Sequence, residues 1–239
     1  MRNISLLLVV IFFAACVSDA PKYKVSTQSN DVVDTLPLLV TDSVVVLAEA
    51  NRQLVYDYDT LVWKEIVEVP GIQLDLKYAS TDNFVGEVMY DCARCFLERD
   101  AADALLKAKD YFLTLGYGVK LFDCYRPVPV QQKLWDKVPN INYVAPPSKG
   151  SMHNRGATVD MTLTRDGQEV DMGTAFDAFT RKSFTFHPFE DTTLTNNRML
   201  LRNSLYQFGY RGIRTEWWHF TYYKSAKQPL SSWLWNCPN

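Results

Sequence analysis

His153, Asp160, Glu216 and His219 fall in two short segments, Ser151-Met152-His153-Asn154-Arg155-Gly156-Ala157-Thr158-Val159-Asp160 and Glu216-Trp217-Trp218-His219. Together they bring two imidazoles and two carboxylates to whatever site the fold builds. A hydrolytic zinc ion takes three protein ligands from histidine and carboxylate side chains and keeps one position open for water. It works beside a carboxylate that accepts the water's proton. The four residues match that demand, with His153, Asp160 and His219 as zinc ligands and Glu216 as general base. The chain holds 3 histidines, so the pattern uses all but one of them. The remaining His187, in Phe186-His187-Pro188, has no partner at a ligand spacing and is expected to be structural or exposed.

The elements that must position these groups are written in hydrophobic periodicity. Ile72, Leu74 and Leu76 alternate with Gln73, Asp75 and Lys77, the pattern of a half-buried strand leading to Tyr78. Ala101, Ala104, Leu105, Ala108, Phe112 and Leu115 recur at helical spacing, and with Gly116 as stop signal they predict a helix over 98–115. Val119, Leu121 and Asp123 alternate with Lys120 and Phe122 in a strand that delivers Tyr125-Arg126-Pro127, where proline ends it. A short helix over 130–137 and a proline-rich loop over 139–150 then lead into the first metal segment. Val159, Met161 and Leu163 alternate with Asp160, Thr162 and Thr164, so the odd residues face the core and Asp160 faces a cleft on the other side.

Arg165-Asp166-Gly167-Gln168 reads as a hairpin turn, and Leu200, Leu201, Leu205 and Phe208 predict a helix over 196–208 closed by Gly209. A strand over 216–222 brings in the second segment, with Trp217 and Trp218 expected to pack the core and shield the metal. On a regular strand Glu216 and His219 would face opposite ways, so a bulge or a strand end has to bring both into one cleft. The mixed order of strands and helices, without the repetition of a parallel sheet, predicts an α+β domain with an antiparallel core sheet and flanking helices.

The formal net charge is -2, with no run of like charges and no basic stripe, which gives no electrostatic footprint for nucleic acid. Met1-Arg2 precedes an apolar run over 4–15 that ends at Cys16, too short to span a bilayer and shaped as an export signal. Phe13-Ala14-Ala15-Cys16 is similar to the lipobox of bacterial lipoproteins, which implies a lipid anchor on Cys16 and a flexible polar stalk over 16–35. The alternative is an ordinary secretory peptide with Cys16 incidental. The expected location is the cell envelope, periplasmic or anchored at the outer membrane. Residues 36–62 stay unassigned, because short apolar runs there fit a strand or a helix equally, and the catalytic body is expected over 63–239.

If Cys16 is lipidated, Cys92, Cys95, Cys124 and Cys237 remain, and three pairings among them are possible. Cys92 and Cys95 form a CxxC without a thioredoxin-like context and without a second CxxC. A structural disulfide or buried thiols is the expected outcome.

Four blocks occur in order: Lys77-Tyr78-Ala79-Ser80-Thr81-Asp82-Asn83-Phe84-Val85-Gly86, Asp123-Cys124-Tyr125-Arg126-Pro127, the segment over 151–163, and Glu216-Trp217-Trp218-His219. Over about 63–222 the chain resembles the zinc-dependent D-alanyl-D-alanine dipeptidases of the vancomycin-resistance type. The resemblance implies a single catalytic domain of the zinc D,D-peptidase (hedgehog-like) type, with one zinc ion per chain on His153, Asp160 and His219. It implies Glu216 as base and Arg126 as stabiliser of the transition state. It further implies that Tyr78 and Asp177, the latter in Met172-Gly173-Thr174-Ala175-Phe176-Asp177, hold the substrate and that Ser151 lines the site.

The expected activity is hydrolysis of free D-alanyl-D-alanine or a close D,D-dipeptide in cell-wall peptide turnover, with no protein partner expected. Asp177 suits the dipeptide's charged amino end, and Arg126 suits either the oxyanion or the substrate carboxylate. One alternative is a zinc D,D-carboxypeptidase or endopeptidase acting on peptidoglycan stems. Another is a non-catalytic cell-wall-binding lipoprotein, against which the presence of Glu216 argues.

Overall fold

The computed structural model describes residues 56–237, so the expected export segment, the stalk and residues 36–55 lie outside the described residues. In chain order the strands are β1 (Trp63–Ile66), β2 (Ile72–Leu74), β3 (Cys95–Glu98), β4 (Gly118–Asp123), β5 (Thr158–Arg165), β6 (Gln168–Glu169), β7 (Tyr210–Gly212) and β8 (His219–Tyr222). The helices are α1 (Arg99–Thr114), α2 (Val128–Lys137) and α3 (Thr192–Gln207). The main sheet runs β2-β4-β5-β8-β7, with β6 added to β5, while β1 and β3 pair in a separate ribbon. This is the expected α+β class. Every strand pairing is antiparallel except β2 with β4, which is parallel because β3 and α1 cross over between them. Among the described residues no helix is long and apolar enough to cross a membrane.

α1 and α3 cover one face of the sheet. Ala101, Leu105, Ala108 and Phe112 of α1 and Leu201 and Leu205 of α3 pack with Val119, Leu121, Val159, Met161 and Leu163. Burial of each such large apolar side chain contributes about 1.5–3 kcal/mol. The Glu98 carboxylate starts α1 by accepting the N–H groups of Asp100 and Ala101. α3 begins at Thr192, a turn earlier than expected, because the Asp191 carboxylate accepts the Thr193 N–H; that first turn is largely polar and carries no stripe for a periodicity to register. α2 starts directly after Pro127.

Strand register, more than any helix, places the site. Asp160 pairs with His219 on β8 and with Asp123 on β4. Directly paired residues point to the same face, so these three form a row across adjacent strands. A bulge in β4 makes the row possible: Leu121 pairs with Met161 but Asp123 pairs with Asp160, which leaves Phe122 as the extra residue. The strand expected over 216–222 is shorter than that, starting at His219, so Glu216 stands ahead of it. A strand end, rather than a bulge beside the base, brings Glu216 and His219 together.

Cys92 bonds Cys237 and Cys95 bonds Cys124, so the two cysteines of the CxxC take different partners. Trp63, Phe96 and Tyr125 form a small core against which Tyr58, Trp233 and Trp235 pack. Arg94 ties this region together by pairing with Asp57 and Glu65 and donating to the Asn236 carbonyl.

Candidate active site

His153 sits in a 3₁₀ turn, His153–Arg155, between the proline-rich loop and β5. Gly156 ends the turn at φ 65°, where an added Cβ would lie 2.5 Å from the Trp63 ring and 2.8 Å from the Glu98 nitrogen, so glycine is required. The Ser151 hydroxyl oxygen accepts the His153 N–H at 3.2 Å, and Asn154 Oδ1 accepts the Ser151 N–H at 2.6 Å. His153 Nδ1 lies 2.7 Å from the Cys124 carbonyl oxygen. A carbonyl can only accept, so Nδ1 carries the hydrogen, and in the neutral ring Nε2 offers its lone pair.

That Nε2 is 3.2 Å from Asp160 Oδ2 and 3.3 Å from His219 Nδ1, and His219 Nδ1 is 3.0 Å from Asp160 Oδ1. Ligand atoms of His153, Asp160 and His219 all lie within 4.8 Å of one another. Asp160 Oδ1 is buried and receives no hydrogen bond. A buried carboxylate oxygen without a donor is unfavourable unless a cation compensates it. Two imidazole nitrogens and one carboxylate form a donor set of hydrolytic zinc, so these residues fit that ion. Burial alone would raise the pKa of Asp160, but the electrostatic influence of His153 and His219 beside it outweighs burial and holds the carboxyl well below its usual range.

Glu216 Oε2 is 3.6 Å from His219 Nδ1. Burial raises the Glu216 pKa, with His219 opposing and Asp160 reinforcing the shift. Its segment is anchored by the Trp217 N–H on the Ser183 carbonyl and the Trp217 indole N–H on Thr174 Oγ1. Trp217 and Trp218 are both buried in the main core, as expected.

Arg126 is buried, not a surface ion pair. Its Nε and Nη2 donate to Asp123 Oδ2 at 3.0 and 2.6 Å, and Nη1 donates to Gln131 Oε1 at 3.0 Å. The guanidinium lies over the Tyr78 ring, 4.8 Å from its centroid. Burial opposes its charge, but Asp123 more than restores it, leaving the pKa well above normal. Tyr90 donates to the other Asp123 oxygen at 2.7 Å. Asp123, Gln131 and Tyr90 were not singled out from the sequence. The one available signal was a carboxylate at the inward-facing end of a strand whose other inward residues are apolar.

The Tyr78 hydroxyl donates to Asp177 Oδ2 at 2.7 Å, and burial keeps Tyr78 protonated. Asp177 adopts φ 52°. Desolvation pushes its pKa well above the usual carboxylate range, the Tyr78 hydrogen bond opposes this, and the charge of Asp160 adds to it. Tyr78, Arg126, Ser151, His153, Asp160, Asp177, Glu216 and His219 line one cleft of about 360 Å³. Phe179 stands at its rim, stacked on Tyr143 at 4.6 Å and met edge-on by Phe84 at 4.9 Å. His187 packs on Phe189 and does not line the cleft.

A sheet that gathers a His-Asp-His group beside a half-buried glutamate has the makings of a metal-dependent hydrolase. The chain belongs to the D-ala-D-ala dipeptidase family, whose model matches residues 60–232. It is 37% identical over 169 residues to the D-alanyl-D-alanine dipeptidase of Escherichia coli (strain K12), covering 70% of this chain and 88% of the relative. It is 33% identical over 174 residues to the D-alanyl-D-alanine dipeptidase of Enterococcus faecium, covering 64% of this chain and 86% of that one. Among solved structures, the LdcB LD-carboxypeptidase aligns with a TM-score of 0.39 and 20% identity over 55% of this chain and 62% of its own. The family is the one that the four sequence blocks resemble.

Proposed function

We propose that this protein is an exported zinc dipeptidase that hydrolyses free D-alanyl-D-alanine and so recovers D-alanine from cell-wall peptide turnover. The observation that carries this reading is the presence of Asp177 in the same small cleft as His153, Asp160, His219 and Glu216. In a free dipeptide the ammonium and the scissile carbonyl belong to one residue, so an anionic anchor must stand close to the hydrolytic group. A peptide stem has an amide at that position and would leave the desolvated Asp177 without a counter-charge, which disfavours longer substrates. The cleft volume, near the low end of the about 300–1,000 Å³ range of ligand pockets, also suits a small substrate.

His153 Nε2, His219 Nδ1 and Asp160 would hold the zinc ion. Bound there, zinc supplies Lewis-acid polarisation of the scissile carbonyl and makes water acidic enough to lose a proton near neutral pH. Glu216 accepts that proton and returns it to the leaving amine. Arg126 offers the developing oxyanion the guanidinium N–H groups that Asp123 and Gln131 do not engage, and because it is already held in place no reorganisation accompanies the reaction. Asp177, oriented by Tyr78, pairs with the substrate ammonium.

Export is supported by the segment over 1–15 and by the pairing of Cys92, Cys95, Cys124 and Cys237 in disulfides, a pattern of oxidising compartments. A lipid on Cys16 would anchor the chain in the envelope. Outside the cytoplasm the enzyme does not meet the dipeptide pool that feeds cell-wall synthesis, which favours turnover over antibiotic resistance as its role. The test is release of alanine by the zinc-loaded protein from D-alanyl-D-alanine and from a stem pentapeptide. Release from the dipeptide alone is expected, and equal release from both would make the protein a carboxypeptidase.

A further inference from the structure

We propose that Cys124, through its disulfide to Cys95, is a positioning residue for the metal ligand His153. The proposal rests on the reading of His153 as a zinc ligand. A ligand histidine needs its second ring nitrogen fixed, because that hydrogen bond sets both the tautomer and the direction of the coordinating lone pair. Here the partner is the backbone carbonyl of Cys124 at 2.7 Å, within a segment that also carries the Asp123 carboxylate and Arg126.

The His153 turn and this segment are zipped together. The Arg126 N–H donates to the His153 carbonyl at 3.1 Å, and Asn154 Nδ2 donates to the Arg126 carbonyl at 2.7 Å. Both strands of the zip are braced by β3. Cys95, at its start, is bonded covalently to Cys124, the Tyr125 N–H donates to the Phe96 carbonyl at 2.8 Å, and the Glu98 N–H donates to the Gly156 carbonyl at 2.9 Å. Cys95 and Cys124 are 0% and 2% exposed, so the link lies inside the protein directly behind the metal ligand. Without it the Cys124 carbonyl keeps its chemistry but loses its one covalent tie to the strand behind it.

The other disulfide provides the control. Cys92–Cys237 closes 145 residues and Cys95–Cys124 closes 29, so the longer link contributes more to resisting global unfolding. A purely structural role for both bonds therefore predicts the larger loss of every property in C92A/C237A. A positioning role predicts a crossed pattern. C95A/C124A keeps the carbonyl but frees its segment, and weakens zinc binding by about 10-fold, the low end of the effect of losing a partner behind a metal ligand, while C92A/C237A lowers the melting temperature more and leaves zinc affinity near that of the parent.

The measurement is the zinc dissociation constant by competition with a chromophoric chelator, beside thermal melts of the same samples. Imidazole nitrogen chemical shifts of the zinc-free proteins report the tautomer: one form protonated at Nδ1 of His153 in the parent, a mixture in C95A/C124A. Unchanged zinc affinity and tautomer in a folded C95A/C124A protein would overturn the proposal. If that variant does not fold, C95V/C124A replaces it, and failure of both would also overturn it, since the bond would then hold the domain and not the ligand. None of these readouts uses a peptide, so a parent that binds zinc tightly but leaves D-alanyl-D-alanine intact would sink the proposed function and not this one.

Discussion

Tyr78 and Asp177, separated by 99 residues in the chain, share a hydrogen bond of 2.7 Å in which the phenol donates to the carboxylate. The bond aims Asp177 into the cleft but does not offset its desolvation, and the carboxyl is left with a pKa well above its ordinary value. The unfolded chain releases this proton near pH 3.9 (roughly) and the folded chain at higher pH, so between the two the native state holds more protons. Stability therefore falls as pH rises through that window. In the metal-free protein Asp177→Asn is expected to raise the melting temperature at neutral pH, with the gain vanishing below about pH 4. Asparagine tolerates the φ of 52° and can still accept from Tyr78. Thermal melts across pH check the sign; a gain that does not depend on pH would contradict the assignment.

On the proposed function, the same substitution removes the partner of the substrate ammonium. Losing one member of a desolvated charge pair costs about 2 kcal/mol or more, so KM for the dipeptide is expected to rise ~30-fold or further. Steady-state kinetics of Asp177→Asn and Tyr78→Phe separate the two contributions, with the smaller effect expected in the tyrosine variant.

Glu216→Gln keeps the shape of the side chain and deletes the proton acceptor that the proposed function requires. Zinc content is expected to match the parent while kcat falls by about 10²–10⁴. Metal analysis and kinetics on one preparation decide this. Parent-like turnover would remove Glu216 from the mechanism.

Arg126 is held by Asp123 and Gln131 and lies over Tyr78, so its two simplest replacements should differ. Arg126→Ala leaves Asp123 buried without its cation and is expected to destabilise the protein by about 3–5 kcal/mol. Arg126→Lys keeps the charge but not the planar set of donors, and is expected to fold while losing about 10²–10³ in kcat with little change in KM. Denaturant unfolding and steady-state kinetics provide the two numbers. A large KM effect with kcat intact would assign Arg126 to the substrate carboxylate instead.

The grouping of His153, Asp160 and His219 was legible from the sequence because histidine is rare in this chain, with all but one of its 3 histidines in two motifs. Elements with a strong apolar period were legible too: the expected helix over 98–115 is α1 to within a residue at each end. What escaped the sequence depends on pairing. The extra residue Phe122, which rotates Asp123 into the row of Asp160 and His219, leaves no trace in a hydrophobic pattern because Phe122 is itself apolar and packs on Phe176. The late start of β8 and the parallel pairing of β2 with β4 are likewise set by partner strands. The disulfide pairing follows from which strands lie side by side, and four cysteines cannot announce that.

The most direct test of the central claim, that His153, Asp160 and His219 surround one cation, is a crystal structure of the zinc-loaded protein with anomalous scattering at the zinc edge. One peak is expected, bonded to His153 Nε2, His219 Nδ1 and an Asp160 oxygen at about 2.0–2.2 Å. A zinc peak elsewhere, or one that Asp160 does not reach, would contradict it.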